Sequence, residues 1–188
     1  EPSFYGVDDD AALGQAMREY GQVVGASFLA QAGGSLAAWP EDLPEPRVVV
    51  QGLSEWNAAE GPRLVDFPTA DFPVAEVALP AAVLANTNFT QDRDGVYRRG
   101  SLFSVFDGRI VPSMGLAAWL AGTPGDHDLS IEPGRFLVDG FTVPIDRNGR
   151  AILRYRGAHG AYRPLSAAAV IQSELRMRDG EAPTVDLS

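Results

Sequence analysis

The sequence lacks two residue types entirely, and each absence removes a class of chemistry. No cysteine occurs in its 188 residues, which excludes disulfide scaffolds, thiolate zinc sites and cysteine nucleophiles. No lysine occurs either, since all 15 basic residues are arginine, and this excludes Schiff-base chemistry and a phosphate-loop lysine. No apolar run approaches the roughly 20 residues that span a bilayer, and no signal peptide is recognisable.

Charge and composition narrow the choice of partner. Acidic residues number 25 against 15 basic ones, which gives a formal net charge of −10. Such a balance argues against nucleic acid and against an anionic membrane surface, because both need a basic face. With 45% hydrophobic and 21% charged residues, the chain has an ordinary globular composition, and its length predicts one domain over residues 1–188.

Local patterns predict an α/β fold with a mixed sheet and helices packed on it; the alternative is α+β. Three acids open a first helix in which Leu13, Met17 and Tyr20 share one face, and Gly21 ends it. A strand buried on both faces is expected over residues 22–28. Further helices are expected over 74–79, over 114–121 with a Ser113 cap, and over 167–175 with a Ser166 cap.

Asp-Gly and Asn-Gly turns predict a meander and a hairpin. The meander would use strands over 83–89, 96–106 and 109–111, and the hairpin would join 141–145 to 151–155. Their turns make Asp92, Asp94, Gly95, Asp146 and Gly149 structural residues, since Asx side chains bond their own backbone and Gly accepts positive φ.

Two stretches rich in proline and glycine predict irregular structure. The first is residues 31–71, read as an irregular insertion that is interrupted only by a strand-like run over 47–51. The second is residues 122–134, which reads as a surface excursion. Long loops of this kind are often functional or mobile in compact domains.

No motif supports catalysis, a metal or a cofactor. Asp92 and Asp146 each open a sequence like the centre of a calcium loop, but Phe103 and Gly157 stand where the ligating Glu is required. His127 and His159 have no partner at metal-ligand spacing, and no serine lies in a nucleophile elbow. We therefore predict no catalytic residue and no metal ligand.

The Arg98-Arg99 pair carries the most informative chemistry. Alternation along a strand places the two guanidinium groups on opposite faces, so one of them is expected to point inward. An inward arginine needs a carboxylate, and an ion pair with Asp92 or Asp94 is the leading interpretation. Anion binding is the alternative for Arg98 and Arg99, and Tyr155 with Arg156 raises the same choice; these four residues are the candidate ligand-binding residues.

Taken in order, these motifs resemble the CHASE2 family. The match begins at Glu1-Pro2 and the helix opened by Asp9-Asp10. It continues through Asn88, the run Asp92-x-Asp94-Gly95-Val96-x-Arg98-Arg99 and Pro112-Ser113, and ends with Pro144-Ile145-Asp146-x-x-Gly149 and Tyr155-Arg156-Gly157. The resemblance extends over most of residues 73–175 and also includes 1–28, whereas 31–71 has no clear counterpart.

That resemblance implies the extracytoplasmic sensor domain of a bacterial membrane receptor. The family's cytoplasmic output domain is an adenylate or diguanylate cyclase, a histidine kinase or a Ser/Thr kinase. The expected partner is a small-molecule or protein signal, with membrane contact only through flanking helices and with a homodimer as an option. We expect a sensor core without its first strands and its membrane-proximal end. The alternatives are a small hydrolase that uses Asp92, Asp94 and a histidine, or a ligand-free dimerisation module.

Overall fold

Helices and small sheets of short strands make up the fold, which is consistent with the predicted α/β class and with its α+β alternative. The computed structural model describes residues 6–46, 48–60, 65–158, 161 and 164–185. The predicted roles of Glu1, Pro2, Arg47 and His159 fall outside the described residues. The chain divides into two compact units, Glu1–Leu153 and Arg154–Ser188.

The helices and strands are numbered in chain order. The helices are α1 (Val7–Tyr20), α2 (Leu53–Glu60), α3 (Ala75–Ala78), α4 (Met114–Gly122) and α5 (Ala167–Arg178). The strands are β1 (Val24–Ala30), β2 (Asp66–Phe67), β3 (Thr69–Asp71), β4 (Val83–Asn86), β5 (Arg99–Ser101), β6 (Phe103–Phe106), β7 (Arg109–Pro112), β8 (Leu129–Glu132), β9 (Arg135–Val138), β10 (Phe141–Pro144) and β11 (Arg150–Ile152). Helix α5 lies in the second unit, and all the strands lie in the first.

Helix α1 ends where the sequence predicted, at Gly21 with φ of 79°, but it buries a different face. Met17 is buried, whereas Leu13 and Tyr20 are exposed, and Gly14 takes the place of a large apolar residue. A Cβ on Gly14 would lie 2.1 Å from the carbonyl oxygen of Glu76 in α3. The small residue therefore lets two helices approach closely, which an apolar pattern does not reveal.

Strand β1 corrects the expectation of a strand buried on both faces. It lies between β3, which is antiparallel to it, and β4, which is parallel to it. Buried and exposed residues alternate along it, so that Ser27 and Leu29 are enclosed and Phe28 is exposed. One face of this strand is thus enclosed and the other is exposed, which gives the period of two.

The meander prediction is right for β6 and β7 and wrong before them. Asp107 and Gly108 both have positive φ, as a two-residue hairpin turn requires, and join β6 to β7. Strand β4, however, pairs with β1, and β5 pairs with β11. The predicted final hairpin is likewise reduced to one bridge, Ile145 to Ala151, because β10 pairs with β9 instead.

Both stretches predicted to be irregular contain regular structure. Segment 31–71 holds α2, β2 and β3, and Trp56 on α2 is buried against Phe103, with ring centroids 5.9 Å apart. Within the strand-like run, the described residues 48–51 form a single bridge, from Gln51 to Ser130. Segment 122–134 contains β8, which pairs with β9 and buries Leu129 and Ile131 in the main core, so it is no surface excursion.

One of the two predicted helix caps forms, and the other does not. Ser113 caps α4 as predicted, since its hydroxyl accepts a hydrogen bond from the Leu116 N–H at 3.4 Å. Ser166 occupies the N-cap position of α5, but its side chain makes no capping hydrogen bond. Among the described residues, no helix has both the length and the apolar character needed to cross a membrane.

Candidate functional site

Two turns, Asp92–Gly95 and Asp146–Gly149, lie beside a group of charged side chains in the first unit. In the first turn, the Gly95 N–H donates to the Asp92 carbonyl at 2.8 Å. In the second, the Gly149 N–H donates to the Asp146 carbonyl at 2.9 Å. Both glycines have positive φ, 78° for Gly95 and 69° for Gly149. The turn geometry therefore explains the choice of residue at these positions without any bound cation.

Pairing of β5 with β11 brings the ends of these turns together. Arg99 lies opposite Ile152, and Arg150 lies opposite Ser101, in the antiparallel register. Residues directly opposite each other point to the same face of a sheet, as do residues two apart along one strand. Arg99 and Arg150 are therefore diagonal neighbours on one face, although 51 positions separate them in the sequence.

Two aspartates share these two guanidinium groups. Arg150 donates to Asp146 Oδ2 from Nε at 3.1 Å and from Nη2 at 3.0 Å, and its Nη1 lies 3.7 Å from Asp92 Oδ1. Arg99 Nη1 lies 3.6 Å from Asp146 Oδ2 and 4.0 Å from Asp92 Oδ1. We call Asp92, Arg99, Asp146 and Arg150 the ion-pair cluster.

Exposure differs sharply within the ion-pair cluster. The side chains of Arg150 and Asp92 are 14% and 15% exposed, whereas that of Arg99 is 43% exposed. The inward arginine is therefore Arg150 rather than Arg98 or Arg99. An arginine withdrawn from water needs charged and hydrogen-bonded partners, and Asp146 supplies them.

Asp146 is the best-bonded carboxylate of the cluster. Partial burial favours its protonation, but the N–H groups of Arg150 and Asn148 donate to Oδ1, and the Arg150 guanidinium donates to Oδ2. These hydrogen bonds outweigh the burial and lower the pKa of Asp146. The carboxylate is therefore ionised across the physiological range and holds Arg150 in place.

Arg98 belongs to a separate, exposed pair. Its Nη1 donates to both carboxylate oxygens of Asp94, at 2.8 Å and 2.6 Å, and both side chains are more than half exposed. The Arg98 hydrogen bond lowers the pKa of Asp94, and the Val96 N–H adds to this effect. Arg98 thus pairs with Asp94, and Arg99 lies at longer range from Asp92, but both arginines are exposed, so the prediction that one of them points inward is wrong.

An open cleft of about 680 Å³ lies over the first turn and the cluster. We call it the arginine cleft. Its charged lining consists of four arginines and two aspartates: Arg93, Arg98, Arg99, Arg150, Asp92 and Asp94. Arginines therefore outnumber aspartates in this lining, although the chain has a net charge of −10.

A second cleft, of about 190 Å³, adjoins the first and shares Thr90, Arg99 and Arg150 with it. We call it the amide cleft. Its remaining lining is uncharged: Gln31, Phe67, Asn86, Asn88, Phe89, Ser101 and Ser104. Asn86 donates to the Ser104 hydroxyl at 2.9 Å and accepts from the Asn88 N–H at 3.0 Å, so its amide is fixed in orientation.

Tyr155 and Arg156 belong to the second unit, where both side chains are exposed. Arg98 and Arg99 line the arginine cleft, and the role of Tyr155 and Arg156 in binding stays a prediction.

His127 lies in a different cleft from Asp92 and Asp94. Its Nδ1 lies 2.9 Å from Asp139 Oδ2, its Nε2 lies 3.1 Å from the Thr123 carbonyl, and its ring packs on Trp119. The Asp139 carboxylate is the main cause that raises the pKa of His127. Among the described residues, no group of three or more histidine or acidic side chains is placed to hold a metal ion.

Sequence reasoning named Arg99 but missed Arg150 and the uncharged lining of the amide cleft as candidate binding residues. Arg150 follows the Asp146–Gly149 turn directly, so an acid four residues before it was an available signal. Asn86 and Ser104 lie on strands that do not pair with each other, and no local spacing joins them. Their proximity depends on the folding of β4 beside the β6–β7 hairpin.

Comparison with known proteins gives one match. The CHASE2 domain family model matches residues 1–185, which covers nearly the whole chain and includes both compact units. CHASE2 is a family of sensor domains that are typically extracytoplasmic parts of receptors. No curated protein and no solved structure matches the chain.

Proposed function

Because the chain belongs to the CHASE2 domain family, we propose that it is the extracytoplasmic ligand-sensing domain of a bacterial membrane receptor. Its output would pass to a cytoplasmic adenylate or diguanylate cyclase or to a histidine kinase. A sensor of this kind needs different affinities for its ligand in two conformations rather than a reactive side chain. The chain itself is therefore assigned a binding role and no catalytic one.

The arginine cleft is the observation that carries this proposal. Four arginines line it at the surface of an acidic protein, and three of them, Arg98, Arg99 and Arg150, lie within 4.0 Å of a carboxylate oxygen. An incoming anion would compete with Asp92 and Asp146 for Arg99, whose contacts to both exceed hydrogen-bond length. Ligand binding would thereby alter the link between the two turns and between β5 and β11.

A hydrolase based on Asp92, Asp94 and a histidine has weaker support. Asp94 is engaged by Arg98, and His127 lines another cleft. If Asp94→Asn or His159→Gln abolished turnover of a substrate by this chain, the sensor proposal would be wrong. A ligand-free dimerisation module would instead show melting that depends on protein concentration and on no ligand.

The direct test uses the receptor that contains this chain. Reporter enzymes that are active only outside, or only inside, the cytoplasm are fused within the domain, and the receptor's cyclase or kinase output is measured in membranes. We expect the external reporter to be active and the output to become insensitive to medium composition when residues 1–185 are deleted. Activity of the internal reporter, or an unchanged response after deletion, would refute the proposal.

A further inference from the structure

Arg99 and Arg150 both lie where the two clefts meet, and of the two it is Arg99 whose side-chain hydrogen-bonding capacity is unused. It lines both the arginine cleft and the amide cleft. Arg98 and Arg150 each donate two hydrogen bonds to a carboxylate, whereas Arg99 makes none with any described residue. Its nearest carboxylate oxygens are 3.6 Å and 4.0 Å away, so its planar set of donors is open to a ligand.

The surroundings of Arg99 select the charge of that ligand. The carboxylates of Asp146 and Asp92 both lie near its Nη1, at 3.6 Å and 4.0 Å. A phosphate dianion on Arg99 would therefore face two carboxylates, whereas a single carboxylate would complement the one available guanidinium. The forked geometry of arginine also matches a carboxylate through two parallel hydrogen bonds.

The amide cleft selects the rest of the ligand. No acidic side chain lines it among the described residues, and it offers hydrogen-bonding groups that the protein leaves unused. The Ser101 hydroxyl and the Asn88 Oδ1 have no hydrogen-bond partner within the described part of the chain. Phe89 adds an apolar ring surface, steadied by Tyr97 at a centroid distance of 5.1 Å. Hydroxyl groups and C–H faces together fit this lining.

We propose that Arg99 binds the carboxylate of a small hydroxylated organic acid whose hydroxyl groups lie in the amide cleft. The cleft volume of about 190 Å³ is below the roughly 300–1,000 Å³ of sites for drug-sized ligands, so the acid is of monosaccharide size or smaller. This assignment deepens the proposed sensing function and rests on it for its biological role. Binding itself can be measured without any receptor.

The test is calorimetric titration of this chain with sodium glucuronate, with thermal shift as a second readout. We expect saturable binding with millimolar or tighter affinity. Glucose lacks the anion, acetate lacks the hydroxyl groups and glucose phosphate carries a dianion, and we expect each to bind at least about tenfold more weakly. Equal binding of glucose phosphate would overturn the carboxylate assignment, and no saturation by glucuronate at about 10 mM would overturn the site.

Variants locate the site. Arg99→Gln should abolish binding, and Arg99→Lys should weaken it at least about tenfold, because lysine keeps the charge and loses the fork. Ser101→Ala should weaken it about threefold. Arg135→Gln is the matched control, since this exposed arginine pairs with Glu132 and lines neither cleft. Wild-type affinity in Arg99→Gln would overturn the proposal, whatever the receptor output shows; bound glucuronate without a change in output would instead contradict the sensing function.

Discussion

The turns Asp92–Gly95 and Asp146–Gly149 have nearly the same sequence but very different surroundings. Space around a Cβ on Gly95 is open, whereas a Cβ on Gly149 would lie 3.3 Å from the Trp56 ring and 3.5 Å from Val65. The Asp94 carboxylate pairs with Arg98 in solvent, whereas Asp146 holds the nearly buried Arg150. Turn chemistry is therefore local, but the energetic weight of each turn depends on what packs against it.

Removing a paired carboxylate from each turn is expected to give the largest difference in folding stability between them. Asp146→Ala removes the partner of Arg150 and the oxygen that accepts two backbone N–H bonds, so we expect a loss of about 2–3 kcal/mol in the free energy of unfolding. Asp94→Ala removes a solvent-exposed pair and should leave the denaturation midpoint unchanged. Urea denaturation of both variants measures this, and equal losses would break the comparison.

Substitution of the glycines should follow the same order, with the Asp146–Gly149 turn losing more stability than the Asp92–Gly95 turn. A left-handed conformation costs a non-glycine residue about 1–2 kcal/mol, so Gly95→Ala should cost about 1 kcal/mol. Gly149→Ala should cost roughly 1 kcal/mol more, because its methyl group must displace Trp56 or Val65. Thermal unfolding of the two variants, followed by circular dichroism, tests this. Gly95→Ala proving the more damaging would contradict the packing argument.

The His127–Asp139 pair lies outside both turns and gives the folding stability a separate dependence on pH. The pKa of His127 is raised in the folded state, mainly by Asp139. Its contribution to stability is therefore complete below the unfolded value near 6.5 and is lost as the pH rises through the folded value. We expect stability to fall at the alkaline side of this window in the wild type. In His127→Gln that fall should be absent, and its persistence would assign it to another group.

The aspartates of the two turns give stability a pH dependence opposite in sign to that of His127, because their contribution is lost as the pH falls. We expect this effect to be the smallest. The pKa values of Asp146 and Asp94 are lowered in the folded protein. Their stabilisation is complete above the unfolded value near 3.9 and is lost as the pH falls through the folded values. Added salt should weaken the exposed Asp94 contribution more than that of Asp146. Acid unfolding at low and high salt measures this, and the reverse order would contradict the burial difference.

The sequence predicted those elements whose signals are local. Acids and Gly21 delimit α1, Asp107-Gly108 sets the β6–β7 turn, and Ser113 starts α4. Pairing between strands that are distant in the sequence was not predictable, because it depends on packing between distant segments. Because Pro124-Gly125 and Pro133-Gly134 indicate turns, the sequence analysis missed strand β8 between them, although Leu129 and Ile131 are core residues.

The same distinction applies to the candidate site. Arg98, Arg99, Asp92 and Asp94 lie within eight positions, and the sequence brought them forward as an ion-pair or anion site. Arg150 lies beside Arg99 because β5 pairs with β11, and no local sequence pattern predicts that pairing. The amide cleft assembles side chains from several strands and loops, so it emerges only from the folded structure.

The central claim is that the arginine cleft receives the signal, and receptor output is the most direct measurement of it. The cyclase or kinase activity of the receptor is recorded against glucuronate concentration for wild type, Arg99→Gln and Arg135→Gln. The account predicts one response curve shared by wild type and Arg135→Gln, and a curve displaced at least about tenfold or lost in Arg99→Gln. Superimposable curves for wild type and Arg99→Gln would contradict it.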